Sequence, residues 1–188
     1  MKEQTGNQQR KANEKEVAWL CGLIDGEGSI GLRVQKYMRN KNVFYVAPYV
    51  QVVNTHIGTL DVVDRILTEL EVGHYIDWPR PHMVTGGERT VGDYKPLWRI
   101  LVNGIKRCHP LLDELIPYLV IKKDDASIVL EFINSRESSY YKHLPYSPRE
   151  QEIIGRFRRV RRSGKSGEEI SLESLNDYTQ ETPTGVKV

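Results

Sequence analysis

Apolar positions recur along the chain with two different periods, and the switches between them mark out the elements. The run from Val17 to Ile24 follows Asn13 as N-cap, with Glu14 and Glu16 in the first turn; this predicts a helix over 14–26, with Gly28 as a left-handed C-terminal cap. Residues 29–38 then alternate, Ile30, Leu32 and Val34 against Gly31, Arg33, Gln35 and Tyr37, the period of a half-buried strand. Arg39-Asn40-Lys41-Asn42 reads as a turn, and Val43 to Asn54 as a second strand completing a long hairpin. Leu60, Val63, Ile66, Leu67 and Leu70 return to helical spacing, predicting a helix over 58–71 that stops at Gly73. Two strands follow, near His74–Trp78 and over Pro96–Asn103, separated by a loop at Gly86-Gly87-Glu88-Arg89. Next come a helix over 105–118, interrupted by Pro110, and one over 124–136 burying Ile128, Val129, Phe132 and Ile133. Ser147-Pro148-Arg149-Glu150 opens a last helix with Ser as N-cap, Pro first and Glu third, close to a capping box.

Helix, two strands, helix, two strands, then helices: that order argues for an α+β fold with an antiparallel four-stranded sheet. One sheet face is expected under helices. The other stays open and carries Arg33, Gln35, Tyr37, Arg39, Tyr49, Gln51, Arg99 and Asn103. The 188 residues, 39 % of them hydrophobic, suit one domain with tails. The expected division is a flexible segment over 1–13, a core over 14–137, a basic helical extension over 138–165 and an acidic tail over 166–188.

Charge sharpens this division. The formal net charge is only +2, yet no acidic residue falls between Gly28 and Leu60, where Arg33, Lys36, Arg39 and Lys41 lie. Arg149 to Lys165 holds seven bases against two acids, and Ser166 to Val188 five acids against one base. Two basic segments are the footprint expected for a phosphate backbone, although a single charge run is more often a solvated face. Two cysteines give neither a disulfide framework nor a paired thiolate zinc site. The longest apolar run has eight residues, too few to span a membrane, and the polar N-terminus lacks a signal-peptide core, so a soluble intracellular protein is expected. His56, His74, His82, His109 and His143 are scattered without chelating spacing, and the glycines at 86 and 87 lack the rest of a phosphate loop. Trp19, Trp78 and Trp98 read as core or interface anchors.

Chemistry concentrates at Leu20-Cys21-Gly22-Leu23-Ile24-Asp25-Gly26-Glu27-Gly28. An apolar helix here ends in two carboxylates, against the negative end of its own dipole, at a cost of a few tenths to ~1 kcal/mol each. A hard divalent cation offsets that, since Mg²⁺ needs only one or two carboxylates beside waters and substrate phosphates. Ala18, Gly22 and Gly26 form a stripe of small residues at i, i+4 and i+8, against which a partner helix could pack closely. The ligand pattern of a calcium loop is missing, and an exit turn with solvated acids remains the plain alternative.

Residues 20–28 resemble the motif of the LAGLIDADG homing endonucleases, with Cys21 and Gly26 for the two alanines and Glu27 where the family usually has its second Asp. Ser29-Ile30, the stretch from Tyr49 to Gly73 and Pro117-Tyr118-Leu119-Val120-Ile121-Lys122 extend the resemblance over roughly 15–137. It implies an αββαββα core whose sheet forms a DNA-binding saddle. It implies, too, a metal held by Glu27 and the carbonyl of Gly26, and Asn54 orienting the attacking water. Lys122 would stabilise charge on the phosphate, or else be an ordinary helix-start lysine. The family's basic residue near the second helix is Gly58 here. Only one motif copy is present, so cutting both strands needs a homodimer, with Ala18, Gly22 and Asp25 at its interface and a pseudo-palindromic target. Arg33, Gln35, Tyr37, Arg39, Lys41, Tyr49, Gln51, Arg80, Arg99, Asn103, Arg158 and Arg159 are the candidate DNA contacts. The expected cofactor is Mg²⁺, with Mn²⁺ substituting and Ca²⁺ supporting binding without cleavage; cleavage leaves 5′-phosphates and short 3′ overhangs. The rival reading is a non-cleaving binder, such as an intron-splicing maturase or a DNA-binding regulator.

Overall fold

A computed structural model describes residues 12–37, 40–77, 97–138 and 146–161. Helix α1 (Glu14–Glu27) starts at Asn13, whose side chain accepts from the amides of Lys15 and Glu16 while Glu16 returns a bond to the Asn13 amide. This reciprocal cap satisfies donors that the helix cannot. Strands β1 (Gly28–Tyr37) and β2 (Asn40–Asn54) form the hairpin, α2 spans Ile57–Glu69, and β3 (Tyr75–Asp77) and β4 (Trp98–Asn103) complete the sheet. Helices α3 (Ile105–Leu115), α4 (Lys123–Ser138) and α5 (Pro148–Arg161) follow. The sheet is antiparallel throughout, in the order β1-β2-β4-β3.

The packing explains the periods. Val17, Leu20, Cys21 and Ile24 form the buried stripe of α1, and Leu60, Val63, Ile66 and Leu67 that of α2. Both lie on the face of the sheet that presents Ile30, Val50, Val52, Ile100 and Val102. Cys108, Leu111, Leu112 and Leu115 of α3 join the same cluster, with Ala126, Val129 and Ile133 of α4. Each large side chain buried here stabilises the fold by about 1.5–3 kcal/mol. A smaller cluster of Val46, Phe132, Tyr146, Ile153 and Ile154 fastens α5.

Three expectations are corrected. Gly28 does not adopt the left-handed region; its φ is −88° and its ψ 179°. A glycine stands there because a Cβ would meet the Ile24 Cα at 2.8 Å and the Gln51 carbonyl oxygen at 2.9 Å, so the need is space and not backbone freedom. Pro110 does not interrupt its helix: α3 runs unbroken from Ile105 to Leu115, with Pro110 inside it on the exposed side. The face opposite α1 and α2 is not wholly open either. A Cβ on Gly31 would lie 3.0 Å from the Phe157 ring and 3.1 Å from the Tyr49 ring, so α5 reaches round the β1 edge onto it.

The cap read at Ser147 is present. Its hydroxyl accepts from the Glu150 amide at 3.2 Å, and Glu150 accepts from the Ser147 amide at 2.6 Å. The sequence did not show that Glu150 is also buried against Arg136, at 3.2 Å, with Arg136 stacked on the Tyr146 ring.

Candidate nuclease site

The end of α1 runs into β1 without a connecting residue, and that junction places the two acids of the motif in different surroundings. Glu27 is exposed at the last helical position. Its carboxylate accepts a short hydrogen bond from the side-chain amide of Asn54, the last residue of β2. The Asn54 oxygen in turn accepts from the His56 amide at 2.8 Å. A backbone N–H can only donate, so this bond fixes which end of the Asn54 amide faces Glu27. His56 accepts at Nδ1 from the Thr59 amide at 3.2 Å, as the N-cap of α2. Asn54, expected to orient water, here orients the carboxylate.

Asp25 is spent inside its own chain. Its two oxygens accept from the amides of Val120, at 2.8 Å, and Lys122, at 2.9 Å. Burial pushes its carboxyl up, but the amides of Val120, Lys122 and Ile121 and the Lys122 charge outweigh this and hold it below its ordinary value. Lys122 sits just ahead of α4 and donates its Nζ to the Asp25 carbonyl, one peptide unit from Gly26. Nothing in the sequence distinguished Asp25 as the clamp of the 120–122 turn.

Gly26 and Gly22 are exposed, and a Cβ on either would meet nothing within 4 Å among the described residues. Ala18 is exposed on the same helix, Trp19 beside it is 44 % exposed, and Val120 and Ile121 are 83 % and 74 % exposed. The two thiols play no part: burial pushes Cys21 and Cys108 up to about 12, with the Asp25 charge adding to the shift at Cys21.

The carbonyls of the last turn of a helix have no partner within it. The Gly26 carbonyl and the exposed Glu27 carboxylate therefore offer adjacent hard oxygens, the donor chemistry that suits Mg²⁺ or Ca²⁺. Among the described residues no group of three His, Cys, Asp or Glu side chains converges on one point. A cation here would need waters, substrate phosphate or a second chain to complete its shell.

Register places the expected DNA contacts. Arg33 pairs with Ala47, Gly31 with Tyr49, Ser29 with Gln51, Gln51 with Leu101 and Tyr49 with Asn103. Arg33, Tyr49, Gln51, Arg99 and Asn103 thus share the face turned away from α1 and α2, with Arg33 over the Tyr49 ring at 5.4 Å. Gln35 takes a register position opposite Tyr45, and Tyr37 and Lys41 lie further along the hairpin. Arg158 and Arg159 lie on α5, while Arg39 and Arg80 fall outside the described residues. The basic run on α5 is partly neutralised: Arg149 and Arg156 both donate to Glu131 of α4. Arg99 is likewise engaged, by Asp77 on β3. Sequence reasoning missed both acids.

No family model matches the chain. A DNA endonuclease of Chlamydomonas reinhardtii, I-CreI, is 26 % identical over 129 residues, 69 % of this chain and 69 % of its own length. Among solved structures, the homing endonuclease I-CvuI, in complex with its target in the presence of Ca, superposes with a TM-score of 0.61 at 19 % identity, over 87 % of this chain and 92 % of that one. The archaeal intron-encoded homing endonuclease I-Vdi141I, complexed with DNA, gives 0.59 at 13 % identity over 88 % and 95 %. The group I intron-encoded I-CeuI, also with DNA, gives 0.57 at 14 % over 91 % and 79 %. The chain has the homing-endonuclease fold, and its residues 20–28 resemble the motif that names the LAGLIDADG group.

Proposed function

We propose that this chain is a single-motif homing endonuclease that works as a homodimer and hydrolyses both strands of a duplex at a long pseudo-palindromic site. The observation that carries this reading is the exposed Glu27 carboxylate, held by Asn54 at the end of α1 beside the Gly26 carbonyl. Nothing in the core requires that arrangement. The fold and the I-CreI likeness support it.

Each residue then has a task. Glu27 and the Gly26 carbonyl would hold Mg²⁺, with Mn²⁺ as a substitute and Ca²⁺ supporting binding alone. A bound cation supplies a water of lowered pKa and draws off charge from the phosphate. Asn54 keeps the carboxylate in one orientation, and Lys122 places a positive charge one peptide away, suited to charge developing on phosphate. The outer face of the sheet meets the major groove, where Arg33, Gln51 and Asn103 present donors and acceptors to base edges. Arg158 and Arg159 supply phosphate contacts beyond it. The exposed Ala18, Gly22 and Gly26 stripe, with Trp19, Val120 and Ile121 nearby, is the surface on which the second chain packs.

The test begins by selecting bound sequences from a randomised duplex library, then assaying cleavage of the selected site with and without Mg²⁺. Glu27→Gln should keep binding and lower cleavage by roughly 10²–10³-fold or more. Near-normal cleavage by that variant would remove Glu27 from the metal site.

A further inference from the structure

The sheet face turned towards DNA in this reading holds one acidic residue among its described positions, Asp77. Register puts it directly opposite Arg99, with Val53 beyond on β2. Oδ2 of Asp77 accepts from Nε of Arg99 at 2.9 Å and, in a shorter contact, from Nη2. Both side chains are open to solvent, 41 % for Arg99 and 48 % for Asp77. A surface pair of this kind contributes little to stability, typically about 0–1 kcal/mol. A negative charge on a surface that meets phosphates also weakens binding in general. What Asp77 does to Arg99 therefore explains its place on this surface better than stability does.

The geometry points to that role: we propose that Asp77 is a positioning residue that aims Arg99 at one guanine in each half-site. This rests on the endonuclease reading above. The guanidinium has five donors in a fixed fork. Asp77 occupies the Nε–Nη2 side, which, among the described residues, leaves the end-on edge of Nη1 and Nη2 open, the edge that matches O6 and N7 of guanine. Held on one side, the fork is turned away from the phosphates. The unused Oδ1 of Asp77 is an acceptor on the same surface, suited to the exocyclic amino group of a neighbouring cytosine.

The test compares the unaltered chain, Asp77→Asn, Asp77→Glu and Arg99→Ala, each profiled by binding selection on a randomised duplex library, with a thermal melt of each protein. Asp77→Asn should lower the preference for guanine at one position per half-site by about tenfold. Its overall affinity for random duplex should stay equal or rise, since an anion has been removed. Arg99→Ala should lose the same position and no other, and Asp77→Glu should restore part of it. A changed melting temperature with an unchanged profile would reduce the pair to a structural one and overturn the inference, leaving the nuclease reading intact. Failure of the unaltered chain to select any sequence would overturn both.

Discussion

Gly28 shows how a residue can be misread for the right reason. Glycine after a helix suggests a left-handed cap, yet its φ of −88° suits any residue, and the Ile24 backbone and the Gln51 carbonyl are what forbid a side chain. Gly28→Ala must move backbone on one side or the other, because neither neighbour is a flexible side chain. We expect a loss of about 1–3 kcal/mol in urea denaturation, accompanied by lost cleavage because Glu27 is adjacent. A stable, active Gly28→Ala protein would show that the junction yields. Asp25 gives a second test at this scale. Its folded pKa lies below its ordinary value of 3.8, so the stability it contributes is complete above that value and is lost as pH falls through the lower, folded one. Asp25→Asn should weaken the protein at about pH 6 and flatten its loss of stability between about pH 5 and pH 2, as read by denaturant midpoints.

At the scale of elements, α5 is anchored by a charge pair at its start and an aromatic ring at its end. Arg136 and Glu150 are both nearly inaccessible to water, at 8 % and 1 % exposure, and lie between α4 and α5. Arg136→Met leaves the Glu150 carboxylate buried and unpaired, at a cost of roughly 3–5 kcal/mol. Chemical denaturation of that variant beside an Arg136→Met, Glu150→Gln double variant separates the stranded charge from lost packing. The double variant should recover part of the loss. Elements of this sort divide into those readable from sequence and those not. The stripes of α1 and α2, the alternation of β1 and the Ser147 cap are local patterns, and they matched within a few residues. Glu27 and Asn54, singled out through the motif, are brought together by the structure. Asp77 beside Arg99, Glu131 beside Arg149 and Arg156, and Asp25 beside the 120–122 turn were not legible, because each pairing joins two different elements and leaves no period within either.

For the whole molecule, the open space around Gly22 separates folding from association. Among the described residues of one chain nothing lies within 4 Å of a Cβ there, and leucine favours a helix more than glycine does. Gly22→Leu should therefore keep the melting behaviour of a single chain while driving apart two chains that meet along α1, at about 1–3 kcal/mol per site. Sedimentation velocity should show the unaltered protein as a dimer and the variant shifted towards monomer, with double-strand cleavage replaced by little or none. An unaffected dimer would move the interface away from Gly22. The bonds from Val120 and Lys122 to Asp25 bear on when the molecule becomes competent as well as on how it is held. They close across 95 and 97 residues of chain, among the longest sequence separations in the fold. Contacts that distant carry the entropy of a large loop and form after local ones during folding. A nascent chain emerging as far as β4 already has Glu27 and Asn54 on neighbouring elements. It still lacks the amides that clamp Asp25, and with them the lysine held beside Gly26. In the proposed reading, order around Glu27 would thus come late in synthesis, and reactivity towards DNA would wait until the core is complete.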